Sequence, residues 1–126
     1  MMQRTWTPEE LAVYRDTAIR LREQDSEAEN ERRERAWVAA RAAAELLRSH
    51  FQATRVVVFG SLARQNTSFT RWSDIDIAAW GLAERDSLLA LGEVMDMDTG
   101  FEMNLADVNA CKPAILESIA REGIDI

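Results

Sequence analysis

The sequence predicts an α/β fold led by a long helix, and three observations carry that expectation. Residues 9–49 contain neither Gly nor Pro, which leaves nothing to interrupt a helix. Three short strand-like runs follow, RVVVF at 55–59, DIDIAAW at 74–80 and FEMNLA at 101–106, separated by helical and turn-like stretches. The length of 126 residues is enough for one buried core but not for two with a linker.

Each element has a local cause. Thr7, Pro8 and Glu10 read as a helix start, with Thr7 as N-cap, Pro8 at the first helical position and Glu10 closing a capping box. Leu11, Tyr14, Ala18 and Leu21 form one apolar stripe, and Ala36, Ala40, Ala43 and Leu47 form another. Between them, residues 22–35 offer only Ala28 as an apolar side chain. Glu29 with Arg33 and Glu31 with Arg35 are i,i+4 pairs that keep such a stretch helical without a core, and Arg32, Arg33 and Arg35 read as a solvated face. A single helix of that extent would run about 60 Å at 1.5 Å per residue, so it must project, bend or dock. A break within 22–35 that folds the first segment back is the simpler expectation. The alternative is that Leu11, Tyr14, Ala18 and Leu21 engage a second chain, a copy of this one or another protein.

The β-branched run at 55–59 is typical of a buried strand. Residues 61–64 suit the opening of a short helix. Residues 84–95 suit a helix with Leu88, Leu91 and Met95 on one face. A last helix is expected from about Lys112, with Pro113 early in it and Gly123 as its stop. The chain divides into a helical extension at 1–50 and an α/β core at 51–126.

Composition narrows the function. Twenty-two Asp and Glu against fifteen Lys and Arg give a net charge of −7, which disfavours standing contact with nucleic acid. A basic protein partner, or a nucleotide brought in with divalent metal, is compatible with it. The one cysteine, Cys111, cannot form an internal disulfide. The first dozen residues lack the apolar run of a signal peptide, and no stretch is long enough to span a membrane. A soluble, cytoplasmic protein is expected.

The chemistry concentrates in FGSLARQNTSFTRWSDIDIA, residues 59–78. Strand alternation sends Asp74 and Asp76 to one face and Ile75 and Ile77 to the other. Two adjacent carboxylates repel one another unless cations lie between them, and Mg²⁺ takes oxygen ligands while keeping positions open for phosphate and water. On the neighbouring element Gly60 permits close backbone approach, Ser61 offers a hydroxyl, a helix opening there would present N–H groups to phosphate, and Arg64 adds charge. An anion cradle beside a metal-binding pair suits phosphoryl or nucleotidyl transfer.

Gly60, Ser61, Arg64, Ser73, Asp74 and Asp76, with the strands around them, resemble the GS…DxD signature of the minimal nucleotidyltransferases, small relatives of the DNA polymerase beta superfamily. The resemblance spans about residues 36–126. It implies a nucleotidyltransferase fold with a small mixed sheet flanked by helices. It also implies a nucleoside triphosphate, usually ATP, with a two-metal Mg²⁺ site. By motif position Gly60 and Ser61 would bind phosphate and Asp74 and Asp76 would hold metal. It further implies a partner, because small members often pair with HEPN-type proteins as antitoxin and toxin, the transferase placing AMP on the HEPN ribonuclease.

Three features depart from that pattern. Gln65 stands where the family has Gly, and the connection from Ser61 to Asp74 is longer by about two residues. The third metal-binding acid is replaced by Asn104 in MNLAD, so either Glu102, two residues earlier on the same face, completes the site or transfer is weakened. Asp107 has the opposite parity. Of the remaining residues, Trp72 is expected to cover a core edge, and Trp37, Trp80, Met95, Met97 and Met103 to pack. His50 is expected to end the long helix, and Cys111 to be unreactive.

Overall fold

The computed structural model describes residues 5–126. Helix α1 (Pro8–Phe51) is followed by β1 (Arg55–Phe59), β2 (Ile75–Trp80), α2 (Ser87–Met95), β3 (Met103–Asp107), α3 (Pro113–Glu122) and β4 (Ile124–Asp125). The four strands form one sheet in the order β3-β2-β1-β4. Strand β1 runs antiparallel to β2 and to β4, and β2 runs parallel to β3 with α2 as the crossover. The sheet is therefore mixed, and the α/β expectation holds.

Thr7 caps α1 as its sequence suggests, its hydroxyl oxygen accepting from the Glu10 N–H at 3.1 Å. The helix then continues without a break for 44 residues, about 66 Å at 1.5 Å per residue. The expected interruption within 22–35 does not occur. With no Gly or Pro to end it, the helix needs a tertiary reason to stop, and it finds one only at Gln52, which turns left-handed at φ 56°. Leu11, Val13, Tyr14, Ile19 and Leu21 remain exposed on the first half. The second half buries Ala36, Ala39, Ala40, Ala43, Ala44, Leu47 and Phe51. Five alanines in that set bring the helix backbone close to the sheet.

Within the middle of α1, Arg35 is exposed as its composition suggested, but Glu29, Arg32 and Arg33 are half-buried and engaged. Arg33 donates through Nη1 to the Leu62 carbonyl at 3.3 Å and through Nη2 to the carbonyls of Arg64, at 3.3 Å, and Thr67. Arg32 donates to the Phe69 carbonyl at 3.2 Å, and Glu29 accepts from the Phe69 N–H at 2.7 Å. These residues hold the loop between β1 and β2, and that loop delivers Phe69 into the core with no exposed surface. Burying such a ring is worth about 1.5–3 kcal/mol. The sequence shows charged i,i+4 pairs; it does not show that one turn before Ala36 the helix already meets the β1–β2 loop.

Strand β2 alternates as expected. Ile75 and Ile77 join the main core under α1 and α2, while Ala78 joins a second cluster with Val57, Phe59 and Ile119. Asp76 and Ala78 thus face the side covered by α3. Helix α2 differs from expectation: it buries Ala90 and Val94, and leaves Leu88 and Met95 exposed. A 3₁₀ turn at Glu84–Asp86 precedes it, and Ala90 and Val94 join the core cluster that holds the buried alanines of α1. Met95 does not pack, whereas Met103 is buried and Trp37, Trp80 and Met97 pack against the core clusters.

Helix α3 begins at Pro113 after Lys112 and ends at Gly123, as expected. A Cβ at Gly123 would press on the Ile119 carbonyl and the Val57 side chain, so this glycine permits close seating of α3 on β1. The chain then adds β4, which sequence inspection did not find. It is two residues long and pairs Val57 with Asp125 and Val58 with Ile124. Arg55 secures it with two bonds to the Asp125 carboxylate, at 2.7 and 3.2 Å.

Candidate functional site

The register of the sheet assembles the site. Phe59 lies opposite Asp76 on the antiparallel pair β1–β2, and Asp76 lies opposite Asn104 on the parallel pair β2–β3. Gly60, the residue after Phe59, therefore comes up against the Asp76 side chain. Gly60 has φ +74°, and a Cβ there would run into the Asp76 carboxylate. Only glycine meets both demands.

Asp74 precedes β2 rather than opening it. Its approach is set by a closed turn in which the Ser73 N–H donates to the Thr70 carbonyl at 3.0 Å and Ser73 Oγ accepts from the Thr70 N–H at 2.9 Å. The Asn104 amide nitrogen donates to Asp74 Oδ2 at 3.3 Å and to Asp76 Oδ1 at 3.4 Å. Asn104 thus bridges the two carboxylates, its partly positive N–H₂ lying where a cation would otherwise relieve their repulsion.

Burial is the main cause that pushes the Asp76 carboxyl above its usual range. The Asn104 bond opposes it, the Asp74 charge adds to it, Arg64 opposes it, and Glu122 adds to it. Glu122 is the residue that sequence inspection missed. Its carboxylate accepts from the Gly60 N–H at 3.0 Å through one oxygen and from Arg64 Nε at 2.8 Å through the other. It reaches the site because α3 covers the face of the sheet on which Asp76 lies. The only trace in the sequence is an acid immediately before the glycine that stops the helix.

Of the residues singled out from sequence, Gly60, Arg64, Asp74, Asp76 and Asn104 come together. Ser61 is half-buried in the 3₁₀ turn Gly60–Leu62. That turn replaces the short helix expected after Gly60, so no helix dipole is aimed at the site. Glu102 is exposed; its carbonyl accepts from the Ile75 N–H at 2.9 Å, and its side chain takes no part in the Asp74–Asp76–Asn104 cluster. Asp107 pairs with Ala79 at the far end of β3. Trp72 does not cover a core edge: it is 80% exposed beside the site loop, with the Arg71 guanidinium 4.9 Å over its ring. His50 lies in the last turn of α1 and faces Glu93 of α2 at 3.4 Å. Among the described residues no set of three or more His, Cys, Asp or Glu is arranged to hold a metal.

The long N-terminal helix and the small four-stranded mixed sheet give the chain an α/β fold of nucleotidyltransferase type. Among solved structures, the chain is similar to a nucleotidyltransferase-fold chain of the toxin–antitoxin complex MntA–HpeT, crystallised as a variant with two Asp-to-Glu substitutions. The TM-score is 0.55 at 18% identity, over 68% of this chain and 70% of that one. No protein-family model matches the chain, and no curated protein matches it in sequence. Among the described residues, no helix is long and apolar enough to cross a membrane.

Proposed function

We propose that this chain binds a nucleoside triphosphate, ATP, with Mg²⁺, and transfers AMP to a hydroxyl group of a protein partner, as the antitoxin half of a pair with a HEPN-type toxin. The observation that carries this reading is the convergence of Asp74 and Asp76 with the left-handed Gly60 and Arg64 around one point of the sheet. Likeness to a chain from a toxin–antitoxin complex supports a protein partner. The two Asp-to-Glu changes in that complex lie two positions apart, the spacing of Asp74 and Asp76.

The donor set fits one divalent cation. Asp74 and Asp76 would hold it, and Asn104 would offer its carbonyl oxygen once the amide turned over. A bound cation would withdraw charge from the phosphates; a second would depend mainly on oxygens of the triphosphate. Gly60 and Arg64 would orient the phosphate tail, and the 3₁₀ turn would keep Ser61 beside it. In the transfer, an acceptor oxygen bonds to the α-phosphorus as the α–β bridging bond breaks. Pyrophosphate leaves, and the hydroxyl proton passes to water or a carboxylate. Asn104, opposite Asp76 on β3, would stand in the position of the third acid.

A second reading has its own observation. The Asn104 N–H₂ already satisfies both aspartates, which suits a domain that neutralises its partner by binding alone. Incubation with α-labelled ATP, Mg²⁺ and a candidate HEPN-type partner separates the two. Label on the partner, lost in Asp76→Asn, supports transfer; inhibition of the partner without label, equal in both proteins, supports occlusion.

A further inference from the structure

We infer that Glu122 is a built-in anionic occupant of the Gly60–Arg64 cradle, which a polyphosphate must displace in order to bind. The inference rests on the nucleotide reading given above and adds a residue from α3 to it.

The two groups best able to receive phosphate are both engaged within the chain. The Gly60 N–H and Arg64 Nε each give their hydrogen bond to a different oxygen of the same Glu122 carboxylate, at 3.0 and 2.8 Å. A backbone N–H joined to a guanidinium N–H is a donor set suited to any compact oxyanion. The Glu122 side chain is 13% exposed while that of Arg64 is 46% exposed, so the carboxylate is the covered member of the pair. It is seated there by α3, whose end is held because Gly123 lies against the Val57 side chain of β1 and the chain passes directly into β4, paired with β1. Clearing the cradle therefore requires rotation of the Glu122 side chain rather than movement of the helix.

The occupant also sets a charge requirement. Glu122 and Asp74 both act on Asp76 as like charges. A ligand that replaces one carboxylate must match its bonds and offset the repulsion from the two aspartates. A metal-bound polyphosphate does both, whereas a nucleoside brings no anion for the cradle and a metal-free monophosphate brings no cation to offset the aspartates. Glu122 thus acts as a threshold for the class of ligand admitted.

Calorimetry on the full chain with Mg·ATP and with Mg·tripolyphosphate tests this. Glu122→Gln keeps the shape of the side chain but removes its charge, and should bind both ligands about tenfold more tightly than wild type, the scale of one charge-assisted hydrogen bond. Equal or weaker binding by Glu122→Gln overturns the inference and leaves the nucleotide reading standing. Absence of binding to either protein overturns both. A measurement on wild type does not depend on the variant folding: tripolyphosphate with Mg²⁺ should shift the Gly60 amide and the Glu122 side-chain carboxyl resonances together. A Gly60 shift at saturation with an unmoved Glu122 carboxyl overturns the displacement.

Discussion

Asp76 and Asn104 stand directly opposite one another on the parallel pair β2–β3, and the Asn104 amide donates to the Asp76 carboxylate at 3.4 Å. The same nitrogen reaches Asp74 at 3.3 Å. A neutral side chain at this register position lets two carboxylates stay close without a cation, because the amide supplies two donors and no net charge.

Asn104→Asp should therefore reverse the site's dependence on metal. Three carboxylates without a donor among them repel, so the variant should lose about 1 kcal/mol in EDTA, seen as a melting temperature lower by a few degrees. With millimolar Mg²⁺ it should gain more stability than wild type does. Thermal melts of both proteins under both conditions check this, and a variant indifferent to Mg²⁺ would show that no cation binds there.

Asp76→Asn should stabilise the ligand-free protein near neutral pH, because it removes a charge that burial and Asp74 disfavour. The sign follows from the raised folded-state value. The folded protein binds the Asp76 proton more readily than the unfolded chain, whose value lies near the ordinary 3.8. This residue's contribution to stability accordingly improves as pH falls through the raised value and levels off below 3.8. Urea titrations from neutral to acid pH should show that improvement in wild type but not in Asp76→Asn.

Gly60→Ala should cost about 1–3 kcal/mol through its left-handed backbone alone. The added methyl would also displace the Asp76 carboxylate. Loss of stability should thus come with loss of any Mg²⁺ response, measured by chemical denaturation with and without the metal.

Arg33→Ala should destabilise the fold by about 2–3 kcal/mol, since the side chain is 18% exposed and joins three loop carbonyls to α1. Arg33→Lys should recover little of this, because an ammonium cannot reproduce the planar fork. Limited proteolysis should then cut between residues 64 and 72, where the loop would lose its hold on α1. An intact loop in Arg33→Ala would mean that Phe69, with its bonds to Glu29 and Arg32, anchors it without Arg33.

Much of the site was legible before any coordinates. Gly60, Asp74 and Asp76 are local signals: a glycine after an apolar run, and two acids at a spacing that strand alternation places on one side. Asn104 was identified as the position of a missing acid, but not as a donor to both aspartates, since that depends on the register of β3 against β2. Glu122 lies 62 residues from Gly60, and nothing near it in sequence records which face of the sheet α3 covers. Arg33 reads as a solvated charge in the sequence because helical periodicity describes a helix face but not what the face meets.

By itself the sequence determined the α/β class, the capped start of α1, the alternation of β2 and the stop of α3, all of which arise from steric and hydrogen-bonding preferences within a few residues. Tertiary structure decided that α1 runs unbroken, that α2 buries Ala90 and Val94 in place of its larger side chains, and that β4 exists. It also decided that Glu122 meets Gly60 and Arg64. These outcomes depend on which surfaces face each other after the chain has closed on itself, and side-chain pairs separated by tens of residues leave no periodic trace from which that closure can be read.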